Sequence, residues 1–199
     1  MSEVAFVAPI VEGQGEVQAV PILLRRIAAQ CSPSLELRIN PPLRVKSGSF
    51  LHDEDYFRRH VELAARKAKP WSKSCVWILL DCEDECPAIL GPSILQRAVG
   101  CRPDVIIFVT LAYREYETWF LAAAHSLRGV CNLPMDIDSP ANPEGFRDAK
   151  GWLAARLGVA YNEPNHQPRL TAKFAFTEAA KVPSFARILD RFSNFFAVT

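Results

Sequence analysis

The acidic side chains of this 199-residue chain that could do chemistry fall into three groups, each just after an apolar run. Glu12 and Glu16 follow the run 4–11 (VAFVAPIV). Asp81, with Glu83, Asp84 and Glu85 behind it, follows 75–80 (CVWILL), and Arg114, Glu115 and Glu117 follow 105–111 (VIIFVTL). Taken singly, each acid is an ordinary solvated turn residue, and Glu16 an acid favoured at a helix N-terminus. Three groups gathered in one place mean something else, because crowded carboxylates repel one another unless a cation lies between them. No Cys or His set of matching spacing accompanies them, and hard oxygen donors alone select Mg²⁺ or Mn²⁺ over zinc. The expected chemistry is metal-assisted: activation of a water and stabilisation of charge on the group under attack.

The elements that must position these acids are legible in the hydrophobic pattern. Unbroken apolar strands separated by helical segments read as an α/β fold, a doubly wound, Rossmann-like parallel sheet with helices on both faces. The pattern predicts a helix over 17–30, a half-exposed strand over 35–39 and a Pro/Ser/Gly-rich loop over 40–51. A further helix opens on Asp53-Glu54-Asp55 and closes on Arg66, Lys67 and Lys69 before Pro70, the charge order that the helix dipole favours. Helices are expected over 92–99 and 116–127. Residues 1–128 form the core in this reading. Residues 129–199 form a mostly helical C-terminal extension packed on it, with helices around 143–157 and 184–196. Ligands of open parallel sheets bind beyond the carboxyl ends of the strands, so all three acidic groups should meet at one edge.

Composition narrows the classes. A hydrophobic share of 49%, a charged share of 23% and a net charge of +1 describe a folded globular chain. They argue against a protein that coats nucleic acid by charge alone. No apolar run approaches the roughly 18 residues that span a bilayer, so no membrane role is expected. The opening Met1-Ser2-Glu3-Val4 has no basic region before an apolar stretch, so no secretory signal is expected. The six cysteines contain no CxxC pair, which predicts a reducing cytoplasm and mostly buried thiols. Cys82 and Cys86 are close in sequence, but two sulfurs do not complete a metal site.

The segment EGQGE lacks the Gly-Lys-Ser/Thr of a phosphate loop and the third glycine of a dinucleotide fingerprint. Its glycines are expected to let the chain turn tightly and bring Glu12 to a substrate. Of the cations that could contact phosphate, Arg147 and Lys173 read as solvated surface, whereas Arg114, between a strand and two acids, reads as functional; Lys150 remains a candidate. Trp119 and Phe120 read as core, His60, on a helix beside Val61, as structural or solvated, and His52, His125 and His166 as isolated.

An apolar strand ending in Glu-Gly, followed by a second ending in an Asp-x-Asp-like cluster, resembles the Toprim domain shared by topoisomerases, bacterial primases and the overcoming-lysogenization-defect nucleases. More closely, VEGQGEVQAVPILLRRI (11–27), LLDCEDECPAILGP (79–92), LAYREYETWFLAAAHSLRG (111–129) and RDAKGWL (147–153) are similar to a family of small bacterial Toprim-like proteins of unknown function. HQPRLTAKF (166–174) and SFARIL (184–189) extend the resemblance over nearly the whole chain. The resemblance implies that Glu12 is the Toprim glutamate, a metal ligand or general acid/base. It implies that Glu16 is the second acid of the nuclease branch and Asp81 the first Asp of Asp-x-Asp. The chain departs from the pattern at the second Asp, where Glu83 stands with Asp84 next to it, so either could reach the metal. Glu115 or Glu117 would complete a second metal site, with Arg114 at the reacting phosphate. The implied activity is a Mg²⁺- or Mn²⁺-dependent nuclease on DNA or RNA, alongside an ABC/AAA-type ATPase encoded nearby in a phage-defence arrangement. The rival expectation is a non-catalytic or regulatory subunit that binds such an ATPase or a nucleotide; a homo-oligomer is compatible with either.

Overall fold

The computed structural model describes residues 3–197. Five strands, all parallel, make one sheet: β1 (Val4–Val11), β2 (Glu36–Ile39), β3 (Leu43–Arg44), β4 (Lys73–Asp81) and β5 (Ile106–Ala112). The order is β2-β1-β4-β5, with β3 pairing the end of β1 beyond β2. Parallel neighbours need crossovers, supplied by α1 (Glu16–Cys31) before β2, α3 (Glu54–Ala68) before β4 and α4 (Pro87–Cys101) before β5. The chain is therefore the α/β fold that its unbroken apolar strands predict.

Side chains alternate between the two faces of the sheet. Ala5, Val7, Val11, Cys75, Trp77 and Leu79 face one core with α1 and the C-terminal helices. Phe6, Ala8, Ile10, Val76, Ile78 and Leu80 face the other with α3 and α4. Cover on both faces is why β1 and β4 tolerate no polar alternation.

Several boundaries differ from expectation. The loop 40–51 contains β3 and the short α2 (Ser47–His52), anchored by Phe50, whose ring lies 4.7 Å from that of Phe57. Helix α4 begins five residues before 92, with Pro87 in its first turn, where a missing N–H costs nothing. The expected helix over 116–127 is broken: α5 covers only Thr118–Ala122 and a 3₁₀ turn follows over Ala124–Leu127.

Past residue 128, the helix expected around 143–157 is a 3₁₀ turn over Pro143–Gly145 and then the shorter α6 (Ala149–Leu157). Helices α7 (Glu163–Thr171) and α8 (Phe176–Ala179) were not foreseen, and α9 (Pro183–Phe196) meets the expectation. The α7 sequence EPNHQPRLT has two prolines and no apolar stripe; it holds because the Asn162 side chain caps it, accepting from the Asn165 N–H at 3.1 Å. Arg26 of α1 ties the end of α7 down by donating to the carbonyls of Thr171 (2.7 Å) and Phe174 (2.8 Å). On α9, Phe185, Ile188, Phe192 and Phe196 share one face and enter the same core as β1 and β4; Phe192 meets Trp77 edge-on at 4.8 Å. Burying one such ring contributes about 2–3 kcal/mol.

Candidate functional site

The register sets the three acidic groups level. Val11 pairs with Leu79, and Asp81 with Ala112, so β1, β4 and β5 deliver their acids to the same edge of the sheet. After β1 the chain turns sharply into α1, and Glu16 reaches back so that Oε2 accepts from the N–H groups of Glu12 and Gly13, each at 3.0 Å. Gly15 is required for a reason other than the turn. A Cβ there would lie 2.1 Å from Gln167 Oε1 and 2.8 Å from the Glu163 carbonyl, so only glycine lets α7 pack against this loop.

After β4, the backbone of Glu83 takes a left-handed conformation (φ 45°), and Arg114 after β5 does the same (φ 70°). Each is a non-glycine residue in a region that costs about 1–2 kcal/mol. The two turns are laced together, with the Glu83 N–H donating to the Arg114 carbonyl at 3.0 Å and Arg114 Nη1 to the Glu83 carbonyl at 3.2 Å. Asp81 Oδ1 accepts from the Tyr116 N–H at 2.9 Å, which fixes the chain beyond β5 against the end of β4. Strain held in place by surrounding bonds is a common feature of functional sites.

The third group divides. Glu115 turns one oxygen to the Ala149 N–H at the start of α6, 2.6 Å away. Glu117 is fully buried; Oε1 accepts from Gln167 Nε2 at 3.2 Å, and Oε2 has no hydrogen-bond partner. Lys150 on α6 stands among these acids, 2.7 Å from Glu163 and 3.7 Å from Glu115.

Two adjoining cavities share Asp81, Glu83 and Lys150. The inner one, of about 200 Å³, is walled by Glu12, Glu16 and Glu117 and closed by Glu163 and Gln167 of α7. The outer one, of about 300 Å³, is walled by Asp84, Arg114, Glu115 and Arg147. Asp84 accepts from both Arg114 and Arg147, the latter at 2.8 Å.

Electrostatics separates the two cavities. Burial is the main cause that raises the carboxyls of Glu12, Glu16 (to about 7), Asp81 and Glu117 (to about 8), and their mutual repulsion adds to it. Burial works against the Lys150 ammonium, but Glu117, Glu163 and Asp81 outweigh it and raise its pKa. A slight desolvation of Asp84 is outweighed by Arg147 and Arg114, which hold it below the ordinary carboxylate value.

The expected site residues Glu12, Glu16, Asp81, Glu83 and Glu117 thus line the inner cavity; Asp84, Arg114 and Glu115 line the outer one. Among the described residues no three His, Cys, Asp or Glu side chains stand ready as a metal-ligand set. The donor chemistry nonetheless suits a hard cation: carboxylate oxygens of Glu12, Glu16, Asp81 and Glu117 line the inner cavity beside the Lys150 ammonium and the Arg44 guanidinium, and the buried Glu117 Oε2 has no partner. Arg147, read from sequence as solvated surface, is 69% exposed yet pairs with Asp84 across the outer cavity. Lys173 is exposed, and Trp119 and Phe120 are core, as read.

Sequence reasoning missed Glu163, Gln167 and Arg44. The signal for the first two was Asn162-Glu163-Pro164, a cap, an acid and a first-turn proline that announce a helix start. The cysteines correct another expectation. All six are free, but only Cys75 and Cys82 are buried, because Cys31 and Cys86 fall at exposed helix boundaries. Among the described residues no helix is long and apolar enough to cross a membrane. In comparisons with known proteins, no family model, no curated protein and no solved structure matches the chain.

Proposed function

We propose that this chain is a Toprim-type phosphodiesterase dependent on Mg²⁺ or Mn²⁺, cutting DNA or RNA in the cytoplasm beside an ABC/AAA-type ATPase in a defence role. The observation that supports this reading is the inner cavity. Glu12, Glu16, Asp81 and Glu117 crowd there from three strand ends, and the two cations that line the cavity, the Lys150 ammonium and the exposed Arg44 guanidinium, are too little charge to balance them. Glu12, Glu16 and Asp81, with Glu83, would hold the metal, and Glu115 or Glu117 would serve a second ion. A bound metal supplies an acidified water and charge stabilisation for the scissile phosphate. Lys150 keeps its charge and holds Glu115 and Glu163 in place. Arg114, with little exposed side-chain surface, and the exposed Arg147 present guanidiniums to the outer cavity, where a phosphate can replace Asp84 as their acceptor.

One observation favours the rival, a regulatory subunit that binds an ATPase or a nucleotide. Arg114 and Arg147 are already paired with Asp84, and Lys150 with Glu163. Among the described residues that line the two cavities this leaves only the exposed Arg44, which donates to the Glu12 carbonyl and to Gln14, and one arginine is not a basic track to the acids. The deciding experiment incubates the protein with single- and double-stranded DNA and RNA, alone and with the ATPase encoded beside it. Cleavage that EDTA stops and Mg²⁺ or Mn²⁺ restores supports the enzyme. Metal-independent binding of ATPase or nucleotide without cleavage supports the subunit.

A further inference from the structure

A second feature lies away from the acids, along the open edge of β5. The two edges of the sheet are built differently. On the far side, β2 carries Glu36 and Arg38, paired at 2.8 Å, and such charges discourage another strand from adding there. The β5 sequence IIFVTLA has no charge at all, and Ile106 is 52% exposed.

Backbone parity shows which groups β5 leaves open. The Ala112 carbonyl points inward, accepting from the Cys82 N–H at 3.0 Å, whereas the Val109 carbonyl points outward and accepts from Arg191. Period two then turns the N–H and carbonyl groups of Ile107, Val109 and Leu111 to the open side. A groove of about 330 Å³ runs along that side, with Val109 to Leu111 as its floor. One wall is α4, through Ala88, Gly91 and Leu95; the other is α9, through Arg187 and Arg191. The small residues of α4 leave room for an apolar side chain.

The cationic wall indicates the occupant. Arg187 and Arg191 have no ion-pair partner among the described residues, and burial, with the nearby Arg187 charge, lowers the pKa of Arg191. They are four residues apart on a helix, about 6 Å. Two residues of an extended strand cover nearly the same distance, about 6.6 Å. Arg191 sits at Val109, and Arg187 lines a further small cavity with Leu111, Tyr113 and Glu144, whose carboxylate is held by the Ser184 N–H at 3.0 Å; this is the same two-residue step along β5.

We propose that this groove accepts an extended segment of a partner protein as an added sheet strand, with apolar and acidic residues alternating. Its apolar side chains face α4 and its acids face Arg187 and Arg191. Arg191 gives up the Val109 carbonyl to a main-chain N–H of the incoming strand and turns to an acid. A second copy of this chain is the poorer occupant, because it brings another arginine pair and a β5 without acids. The inference does not depend on the reaction proposed above.

The test uses fluorescent nine-residue peptides and the full chain. A peptide alternating valine and glutamate should bind, and one alternating valine and lysine should not. N-methylation of alternate peptide bonds should abolish binding, since strand addition needs those N–H groups. Arg187→Glu should weaken the glutamate peptide by about tenfold or more, attraction having become repulsion. Gly91→Leu should block the groove without unfolding the chain, because a Cβ there meets only Leu111 Cδ1, at 3.8 Å. Circular dichroism checks that both variants are folded. Equal binding of both charge types, or indifference to N-methylation, would overturn the proposal. So would a dimer that Gly91→Leu dissociates, or an oligonucleotide that displaces the peptide and loses affinity in Arg187→Glu.

Discussion

The inner and outer cavities hold the same functional group in opposite electrical states. Glu16 and Glu117 are buried, raised in pKa and surrounded by other acids, whereas Asp84 lies in water between two arginines and is lowered. Folding alone explains the outer pair: an exposed acid takes whatever cations are near. It does not explain the inner set, because a fold gains nothing by burying several carboxylates with one lysine and one exposed arginine, Arg44, as cations. A cation held among the inner acids, as proposed above, accounts for the difference.

The sharpest way to break this comparison is to neutralise an inner acid. Glu12→Gln or Asp81→Asn should reduce metal-dependent cleavage by about a hundredfold or more, as loss of a charge-stabilising group at a reaction centre does. The melting temperature without metal should stay level or rise, since repulsion is relieved. A variant that melts lower and cuts as well as the parent would show that the acid serves the fold. Paired melts with and without Mn²⁺, beside the cleavage assay, read both outcomes.

A pH series sharpens it next. The folded values of Glu16 and Glu117, about 7 and about 8, lie above their ordinary 4.5. A carboxyl raised by folding holds its proton longer in the native state, so its contribution is fully present below about pH 4.5 and lost as pH climbs to 7 and 8. Urea unfolding without metal should therefore lose stability between pH 5 and 8, on the order of 3 kcal/mol for a single group shifted this far. Glu117→Gln should flatten the upper part of that slope, and Mn²⁺ should flatten it in the parent. A stability that rises across this window would refute the electrostatic account of the inner cavity.

Lys150 connects the two cavities, and its removal has a smaller effect of predictable sign. Lys150→Met leaves Glu117, Glu115 and Glu163 without their cation. Because the side chain is 39% exposed, the loss is discounted to about 1–2 kcal/mol at pH 8. It should shrink at pH 6, where the inner acids keep their protons. An equal loss at both pH values would mean that Lys150 matters for packing, not charge.

How much of this was written in the sequence depends on the range of the interaction. The runs VAFVAPIV and CVWILL announce buried parallel strands because every residue must be apolar when both faces are covered, and that placed Glu12 and Asp81 at one edge. Two things were not legible. The α7 segment shows no apolar stripe, because it contributes Gln167 to Glu117 and backbone to Gly15 rather than a greasy face. The left-handed turns at Glu83 and Arg114 are also invisible, since neither residue type signals that conformation; only the cross-bonding between their loops imposes it.

The mildest perturbation acts on the outer cavity. Asp84→Asn removes the negative charge that holds Arg114 and Arg147 together, while leaving a side chain of the same size. Stability should not change measurably, because exposed ion pairs contribute little. Anion binding should improve. If Asp84 occupies the place of a phosphate, inorganic pyrophosphate should bind the variant a few-fold more tightly by calorimetry, with a steeper dependence on salt. The size of that gain separates two roles for the pair. A competitor for the arginines, once removed, frees both of them. An organiser that holds them at a useful spacing, once removed, lets Arg147 swing into solvent, and pyrophosphate affinity then falls. A fall would assign the outer cavity to the same class as the surface pairs elsewhere on the molecule, and Arg114 alone, fixed by its bond to the Glu83 carbonyl, would remain to meet a phosphate.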